Sequence, residues 1–183
     1  MSRIAPLEPP YEDDIQQQFD RIMRGAPPLV LFRVLAGNAR AWEKFRAGSL
    51  LDRGPLLLRE REIVIDRTCA LTKCEYEWGV HIATFAAAAH LTGEETQATV
   101  LGDATAACWP PAEQALIAAV DALHHRATLS ADEFTALATH YDDAKIFEII
   151  LLCGFYRTVS YLANGLDLPL ETTAARFPRE DAA

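Results

Sequence analysis

The sequence predicts an all-α protein, and three observations carry this prediction. Half of the 183 residues are hydrophobic, so the chain can bury a substantial core. Leu and Ala are abundant, whereas runs of Val, Ile and Thr at strand spacing are scarce. Apolar residues recur instead at helical spacing, as they do at Leu31, Val34, Leu35, Trp42 and Phe45. We therefore expect one bundle of about seven or eight helices.

The N-terminal extension, residues 1–27, is predicted to contain one short helix. Residues 1–10 are rich in proline and are expected to be extended. The helix follows at residues 12–23 and opens with acidic side chains, which the helix dipole favours at that end. The main domain is expected to span residues 28–168.

Three helices are predicted in the first half of this domain. A long helix at residues 27–51 follows a double proline and carries the apolar spacing described above. The next helix, at residues 54–73, has Pro55 near its start, where a helix tolerates proline. A short turn then leads to EYEWGVHIATFAAAAHL, residues 75–91.

Two of the later helices begin at capping boxes. Thr92 stands three residues before Glu95, and Ser130 stands three residues before Glu133, so each pair can satisfy free backbone amides at a helix start. Another helix begins at a double proline and the last one ends at an Asn-Gly pair. These helices cover residues 94–104, 110–127, 130–141 and 143–166. The polar C-terminal tail, residues 169–183, is expected to be loosely held.

The charge balance excludes several classes of partner. The formal net charge is −9, from 17 basic and 26 acidic residues, which disfavours nucleic acid and anionic membranes. The N-terminus has no apolar stretch typical of a secretory signal. The apolar stretch IFEIILLCGFY is too short to span a bilayer and carries Glu148. We therefore expect a cytoplasmic protein that acts on a small molecule, without a nucleic-acid or membrane partner.

The cysteine pattern gives no support for a metal or a cofactor. The four cysteines form no CxxC pair, and in the reducing cytosol they are expected to be thiols. Asp121 and His125 share a helix face but lack a third ligand, which indicates a solvated helix end rather than a zinc site. No glycine-rich phosphate loop is present. The prediction is no metal and no cofactor.

Cys74, Glu77 and His81 form one stripe along the helix predicted at residues 75–91. Offsets of three and seven residues place them about one and two turns apart on the same face. Cys74 lies at the helix start, where the dipole favours a thiolate, and Glu77 can orient the imidazole of His81. A Glu–His pair at this spacing is also common on solvated helix faces, so the spacing leaves both interpretations open.

The preceding helix carries a second polar stripe, which contains Glu62, Asp66 and Cys69 at offsets of four and seven residues. Consecutive helices joined by a short turn usually pack together, so Glu62 is expected to approach His81. The alternative is an ordinary salt bridge between Glu62 and a neighbouring arginine. Tyr76 and Trp78 are predicted to wall a substrate pocket, or else to be packing residues.

The stretch REREIVIDRTCALTKCEYEWGVHIATFAAAAHLTGEE resembles the carboxymuconolactone decarboxylase and AhpD-like family. The AhpD branch has a glutamate, eleven residues, a CxxC motif, three residues and a histidine. Glu62, Cys74 and His81 keep this register, and Glu77 stands where the second cysteine is expected. The decarboxylase branch has a glutamate four residues before its histidine, as this chain does. The CxYEWxxH form resembles a further subgroup of the family.

This resemblance runs from about Leu29 to Leu168 and implies an AhpD-like fold. It also implies a homo-oligomer, a dimer, trimer or hexamer, with the site near a subunit boundary. The catalytic residues would be His81, Glu77, Cys74 and Glu62.

Three functions follow as hypotheses. The first is cofactor-free acid–base chemistry of the decarboxylase or lactone type on a small organic acid or carbonyl compound, in which His81 moves the proton, Glu77 orients it and Glu62 assists. The second is an antioxidant, peroxiredoxin-like peroxidase with Cys74 as nucleophile. Cys69 would then resolve it, if the residues between the two cysteines turn. The third is a non-catalytic helical oligomer.

Overall fold

The computed structural model describes residues 2–179, and over this range the chain is all-helical, with nine helices and no strand. The predicted fold class is confirmed. The helices are α1 (Asp13–Met23), α2 (Val30–Ala36), α3 (Ala39–Gly48), α4 (Leu58–Leu71), α5 (Glu75–Phe85), α6 (Gly93–Leu101), α7 (Pro111–Arg126), α8 (Ala131–Ala138) and α9 (Asp143–Gly165).

Helix α4 lies at the centre of the bundle. It packs against α5, α6, α7 and α9, and its residues 62–70 are all buried, including Glu62, Asp66 and Arg67. A helix surrounded on all sides cannot present a solvated face, so its charged residues must find partners within the protein. This position makes α4 the element on which any internal site depends.

Most of the predicted helix starts are confirmed. The side chains of Thr92 and Ser130 accept hydrogen bonds from the amides of Glu95 and Glu133, as the capping boxes predict. Pro111 occupies the first turn of α7, and α9 ends at Gly165.

The long helix predicted at residues 27–51 is divided into α2 and α3. The break lies at Gly37 and Asn38, where the Asn38 side chain accepts a hydrogen bond from the Ala41 amide and begins a new helix. Asparagine is among the best N-cap residues, and this preference outweighs the continuous apolar spacing. The helix predicted from residue 54 also begins later, at Leu58.

Residues 171–179 of the C-terminal tail pack against the bundle, contrary to the expectation that the tail is loosely held. The Ala175 amide donates to the Gly79 carbonyl oxygen at 3.0 Å, and the ring of Phe177 contacts that of Trp78. Any side chain at Gly79 would overlap the Ala175 carbonyl oxygen, so glycine is required for this close approach. Residues 180–183 lie outside the described part of the chain.

Helix α9 is the one described helix whose length and composition would let it cross a membrane, with a mean hydropathy of 1.5 in its most apolar window. One of its faces belongs to the core: Ile149, Leu152 and Val159 are fully buried. Crossing a bilayer would remove this face from α4 and α7, so we interpret α9 as a core helix. Its other face exposes large apolar side chains, among them Phe147 and Leu151.

Candidate active site between α4 and α5

The turn between α4 and α5 brings the two polar stripes together. Helix α4 closes with Lys73 in the left-handed region at φ 56°, and the Cys74 amide donates to the Cys69 carbonyl oxygen at 2.8 Å. The Lys73 amide donates in turn to the Ala70 carbonyl oxygen. This pair of hydrogen bonds is the Schellman motif, which ends one helix and redirects the chain within two residues. Helix α5 then begins at Glu75 and packs against α4.

Glu62 and His81 meet across this helix pair, as the sequence predicts. His81 Nδ1 lies 2.7 Å from Glu62 Oε2, and both side chains are almost completely buried. The alternative interpretation, a salt bridge between Glu62 and a neighbouring arginine, also holds. Arg61 Nε donates to Glu62 Oε1 at 2.9 Å. Glu62 therefore links an arginine to the imidazole.

Glu77 approaches the other ring nitrogen of His81. The distance from His81 Nε2 to Glu77 Oε1 is 3.4 Å, longer than the Glu62 contact, and Glu77 Oε2 is buried with no hydrogen-bond partner in residues 2–179. The His81 ring is held between two aromatic rings, with the centroid of Tyr156 at 5.1 Å and that of Phe85 at 5.3 Å. Glu62 thus fixes the imidazole at Nδ1, whereas the contact of Nε2 with the Glu77 carboxylate is longer and weaker.

The surroundings of His81 favour the imidazolium form. Burial by itself would lower the pKa of His81, but the hydrogen bonds with Glu62 and Glu77 outweigh it and raise the pKa to about 10. At neutral pH the ring therefore carries a proton that it can donate. We conclude that Glu62 orients the ring, a role that the sequence assigned to Glu77.

Cys69 and Cys74 lie beside this cluster, and both residues are completely buried. Burial raises the pKa of the Cys74 thiol to about 11, although the amides at the start of α5 act in the opposite direction. Burial likewise raises the pKa of the Cys69 thiol, and the charge of Glu77 adds to the effect. At neutral pH both thiols are in the protonated form.

Asp66 also belongs to the buried cluster of Glu62, Glu77 and His81, although the sequence shows it only as part of a polar stripe. It stands one turn after Glu62 on α4 and is 1% exposed, and neither of its carboxyl oxygens has a hydrogen-bond partner among the described residues. Burial raises the pKa of Asp66 well above its usual value, while the charge of His81 lowers it in part. The neutral acid is favoured here.

Arg61 connects the cluster to a cleft of about 230 Å³ that is open to solvent. Its guanidinium lies 5.4 Å from the centroid of the Phe85 ring, which also contacts His81. The cleft lies between the loop before α4 and the first half of α9, and Gly54, Arg53 and Glu148 are among the residues that line it. Arg61 and Tyr156 lie on α4 and α9, so the residue spacing within α5 gives no indication of them. For this reason the site predicted from the sequence does not include them.

Tyr76 and Trp78 make packing contacts instead of contacts with His81. The Tyr76 hydroxyl donates to Glu171 and accepts from the Leu31 amide, and Trp78 Nε1 donates to Thr99 Oγ1. These partners belong to the C-terminal tail, α2 and α6. The packing alternative therefore describes their contacts better than the pocket prediction does.

The structure pairs Asp121 with Arg67 and leaves His125 exposed. Arg67 Nε and a terminal nitrogen donate to the two Asp121 oxygens at 2.7 and 2.9 Å. Within residues 2–179, no group of three or more His, Cys, Asp and Glu side chains is arranged to hold a metal ion.

Comparison with known proteins shows a family likeness over part of the chain and identifies the fold. Residues 36–121 match the model of the carboxymuconolactone decarboxylase family, and this range contains Glu62, Cys74, Glu77 and His81. None of the curated protein sequences is similar enough to count as a match.

Several solved structures share the fold at low sequence identity. An alkylhydroperoxidase AhpD core, an uncharacterized peroxidase-related protein from Ralstonia eutropha JMP134, has a TM-score of 0.82 and 22% identity, with 93% of each chain covered. An uncharacterized peroxidase-related protein from Silicibacter sp. TM1040 has a TM-score of 0.80 and 18% identity, over 93% of this chain and 92% of the other.

A third similar structure is that of an enzyme with a bound halogenated ring. The debrominase Bmp8 in complex with 2,3,4-tribromopyrrole has a TM-score of 0.71 and 15% identity, over 93% of this chain and 92% of the other. The chain therefore has the AhpD-like fold, and the part of it that carries the site is similar in sequence to the carboxymuconolactone decarboxylase family.

Proposed function

We propose that the protein is an enzyme of the carboxymuconolactone decarboxylase family, in its CxYEWxxH subgroup, and that it performs cofactor-free acid–base chemistry. The substrate class is a small organic acid or carbonyl compound. One observation carries the proposal: His81 is buried between two carboxylates, with Nδ1 2.7 Å from Glu62 and Nε2 3.4 Å from Glu77. A buried imidazolium with one loosely held nitrogen is suited to proton donation.

The proton transfer can be followed atom by atom. His81 Nε2 donates a hydrogen bond to the substrate carbonyl oxygen, where negative charge develops as a neighbouring carbon loses its carboxylate as CO₂. Glu62 holds Nδ1 and stabilises the imidazolium. Nε2 then gives its proton to the enolate carbon, and the ring takes a proton back from water. The Glu77 carboxylate, 3.4 Å from Nε2, stabilises the imidazolium that forms again.

The charge balance of the cluster is compatible with an anionic substrate. Arg61 and protonated His81 offset Glu62 and Glu77, and Asp66 favours its neutral form. Two carboxylates that line a site repel an organic acid unless positive charges offset them. The structure supplies the compensating cations, and Arg61 lines the solvent-exposed cleft.

Replacement of His81 by glutamine tests this function. The probes are a panel of β-keto acids and γ-lactone carboxylic acids, followed by CO₂ release. We expect His81→Gln to reduce kcat by about 10²- to 10⁴-fold with an unchanged circular dichroism spectrum, and His140→Gln, at an exposed histidine, to have no effect. Wild-type kcat should fall as the pH rises through about 10, because His81 then loses its proton. A fully active His81→Gln variant would contradict the proposal.

A thiol-dependent, antioxidant peroxidase is the second candidate function. It is supported by the N-cap position of Cys74, three residues before Glu77, and by the resemblance to the AhpD branch. The raised pKa of the Cys74 thiol ranks this function second, because the thiolate is the nucleophile. The test uses Cys69→Ser, in which no second thiol beside Cys74 can consume a sulfenic acid. Labelling of Cys74 by a sulfenic-acid probe after peroxide treatment would favour this function, and an unlabelled Cys74 would exclude it.

We also propose that the protein is a cytoplasmic homo-oligomer in which α9 pairs with its copy in a second chain. Support comes from an exposed apolar stripe at helical spacing along α9, formed by Phe147, Ile150, Leu151, Gly154 and Tyr161. Large contiguous apolar patches are uncommon on the surface of monomers, and self-complementary helix pairing is the simplest way to cover an apolar stripe. The four free cysteines agree with a reducing compartment.

Light scattering after size-exclusion chromatography tests the oligomer. Leu151→Glu should yield monomers, whereas Leu101→Glu, at an exposed leucine on α6, should leave the mass unchanged. A monomeric wild-type protein would contradict the proposal. A changed mass for His81→Gln would instead favour the non-catalytic interface hypothesis for the polar cluster.

A further inference from the structure

Cys69 and Cys74 occupy the two ends of the Schellman motif that closes α4. The amide of Cys74 donates to the carbonyl oxygen of Cys69 at 2.8 Å. This is the hydrogen bond of the motif that joins its first and last residues, whose side chains commonly contact each other. The motif therefore holds the two cysteines together by backbone geometry, although five positions separate them in the sequence.

The hydrogen bond limits the distance between the two Cα atoms. Cα lies about 1.5 Å from its own nitrogen and about 2.4 Å from its own carbonyl oxygen, so the Cα atoms of Cys69 and Cys74 are at most about 6.7 Å apart. Disulfides join Cα atoms that are roughly 4.4 to 6.8 Å apart. The backbone of the turn can thus accept a disulfide without a large rearrangement.

The side chains around the turn also bring the two thiols to one place. The Ser160 hydroxyl is close enough to both sulfur atoms to lower the pKa of each thiol, against the stronger effect of burial. Thr72, within the turn, donates to the same Ser160 oxygen at 2.8 Å. Glu77, whose charge raises the pKa of both thiols, leaves its buried Oε2 without a hydrogen-bond partner among residues 2–179.

We propose that Cys69 and Cys74 are a redox pair that reduces a small hydroperoxide and closes an intrachain disulfide across the α4–α5 turn. Cys74, at the start of α5, gives its proton to the Glu77 carboxylate and attacks the outer peroxide oxygen. The O–O bond breaks, the alcohol or water leaves with a proton, and Cys74 becomes a sulfenic acid. Cys69 then attacks the Cys74 sulfur, releases water and forms the disulfide.

Burial selects the class of oxidant. Both cysteine residues are 0% exposed, so a protein or glutathione disulfide cannot reach either sulfur in the folded chain. A hydroperoxide is small and carries an O–H group that can donate to Glu77 Oε2. The pair differs from a CxxC motif because its second thiol comes from the end of the preceding helix. The inference deepens the second candidate function and does not rest on the proton transfer by His81.

Tryptic mapping of the full-length protein tests the pair directly. Trypsin cleaves after Arg67 and Lys73, which separates Cys69 in the peptide 68–73 from Cys74 in the peptide 74–126. After treatment with hydrogen peroxide and alkylation of the remaining thiols, we expect these two peptides to be joined, and dithiothreitol to release them. Because the second peptide also contains Cys108, the protein used is Cys108→Ser, with Cys108→Ser/Cys153→Ser as a matched control that must give the same linkage.

Serine variants assign the order of the steps. In Cys69→Ser, the disulfide should be lost and Cys74 should accumulate as a sulfenic acid that dimedone labels. In Cys74→Ser, both signals should be lost. Cys108→Ser keeps both Cys69 and Cys74, so its peptide map decides the case if either of these serine variants is unstable. Peptides that stay unlinked after peroxide treatment would overturn the inference, while turnover dependent on His81 would be unaffected by that result.

Discussion

Asp66 and Arg67 are neighbours on α4 and both are buried, but they differ in whether their charged groups find hydrogen-bond partners. Arg67 makes four hydrogen bonds: two to the Asp121 carboxylate and one each to the carbonyl oxygens of Thr99 and Gly102. Asp66 makes none with either oxygen among the described residues. Successive residues on a helix point about 100° apart, so one residue faces α6 and α7 while the other faces the His81 cluster.

The difference separates a structural network from a candidate site. Around Arg67 the charges are matched and the donors find acceptors, which is how proteins normally tolerate buried charge. Around His81, Asp66 and one oxygen of Glu77 remain without partners. Unpartnered buried polar atoms cost stability, and several of them around one titratable residue indicate a candidate site for a ligand or a reaction. Under the proposed function, one side of α4 serves stability and the other serves chemistry.

The largest expected effect on stability comes from removing Arg67, on the side of α4 where the buried charges are paired. Arg67→Met should lower the free energy of unfolding by about 3–5 kcal/mol, because it leaves the Asp121 carboxylate and two backbone carbonyl oxygens without their buried donor. Urea denaturation followed by circular dichroism measures the change. The control is Arg126→Met, which removes an exposed salt bridge to Glu133 and should cost less than about 1 kcal/mol. Equal losses in the two variants would refute the comparison.

The sequence predicts the parts of the fold and of the site that depend on local spacing. The capping pairs at Thr92 and Ser130 and the stripe of Cys74, Glu77 and His81 follow from offsets of three to seven residues within one helix. The Glu62–His81 contact follows from two consecutive helices joined by a short turn. In each case the partners are near in the chain, so helical geometry determines where they lie.

Long-range packing determines the rest. Tyr156 reaches His81 from α9, 75 positions along the chain by residue number, and no periodic pattern in α5 indicates it. Phe177 is an isolated aromatic residue in a polar tail, and its place against Trp78 depends on the close approach at Gly79. The division between α2 and α3 was missed because the Asn38 cap competes with an uninterrupted apolar pattern. Such contacts require the tertiary structure.

A smaller effect is expected from Asp66→Asn, and its sign depends on pH. Burial raises the pKa of Asp66 in the folded state, so folding takes up a proton at any pH between the unfolded and the folded pKa. Wild-type stability therefore falls as the pH rises above about 4, by up to about 1.4 kcal/mol per pH unit from this group. Asparagine does not titrate, so Asp66→Asn should not lose stability in this way as the pH rises.

The measurement compares the unfolding free energies of wild type and Asp66→Asn at pH 4 and pH 7. Relative to wild type, Asp66→Asn should be more stable at pH 7 than it is at pH 4. Glu133→Gln serves as the control, since hydrogen bonds with Arg126 and Ser130 lower the pKa of Glu133 to about 2, so that this variant should become less favourable relative to wild type at pH 7. A difference for Asp66→Asn that stays constant over this range would show that Asp66 is ionised in the folded protein.

The smallest effect on stability is expected from Glu77→Gln, which changes the longer of the two carboxylate contacts of His81. Glu77 makes one long contact, 3.4 Å to His81 Nε2, and its second oxygen has no partner in the described chain, so the substitution should change the free energy of unfolding by less than about 1 kcal/mol. The pKa of His81, measured by NMR titration, should nevertheless fall, because the hydrogen bond with Glu77 helps to raise it. Glu62→Gln is the matched comparison: it breaks the 2.7 Å contact with His81 and the salt bridge with Arg61, and it should cost more stability and lower the same pKa further. If Glu77→Gln were the more destabilising of the two, Glu77 would be the residue that orients the imidazole, and the division of the cluster into a fixed side and a reactive side would be reversed.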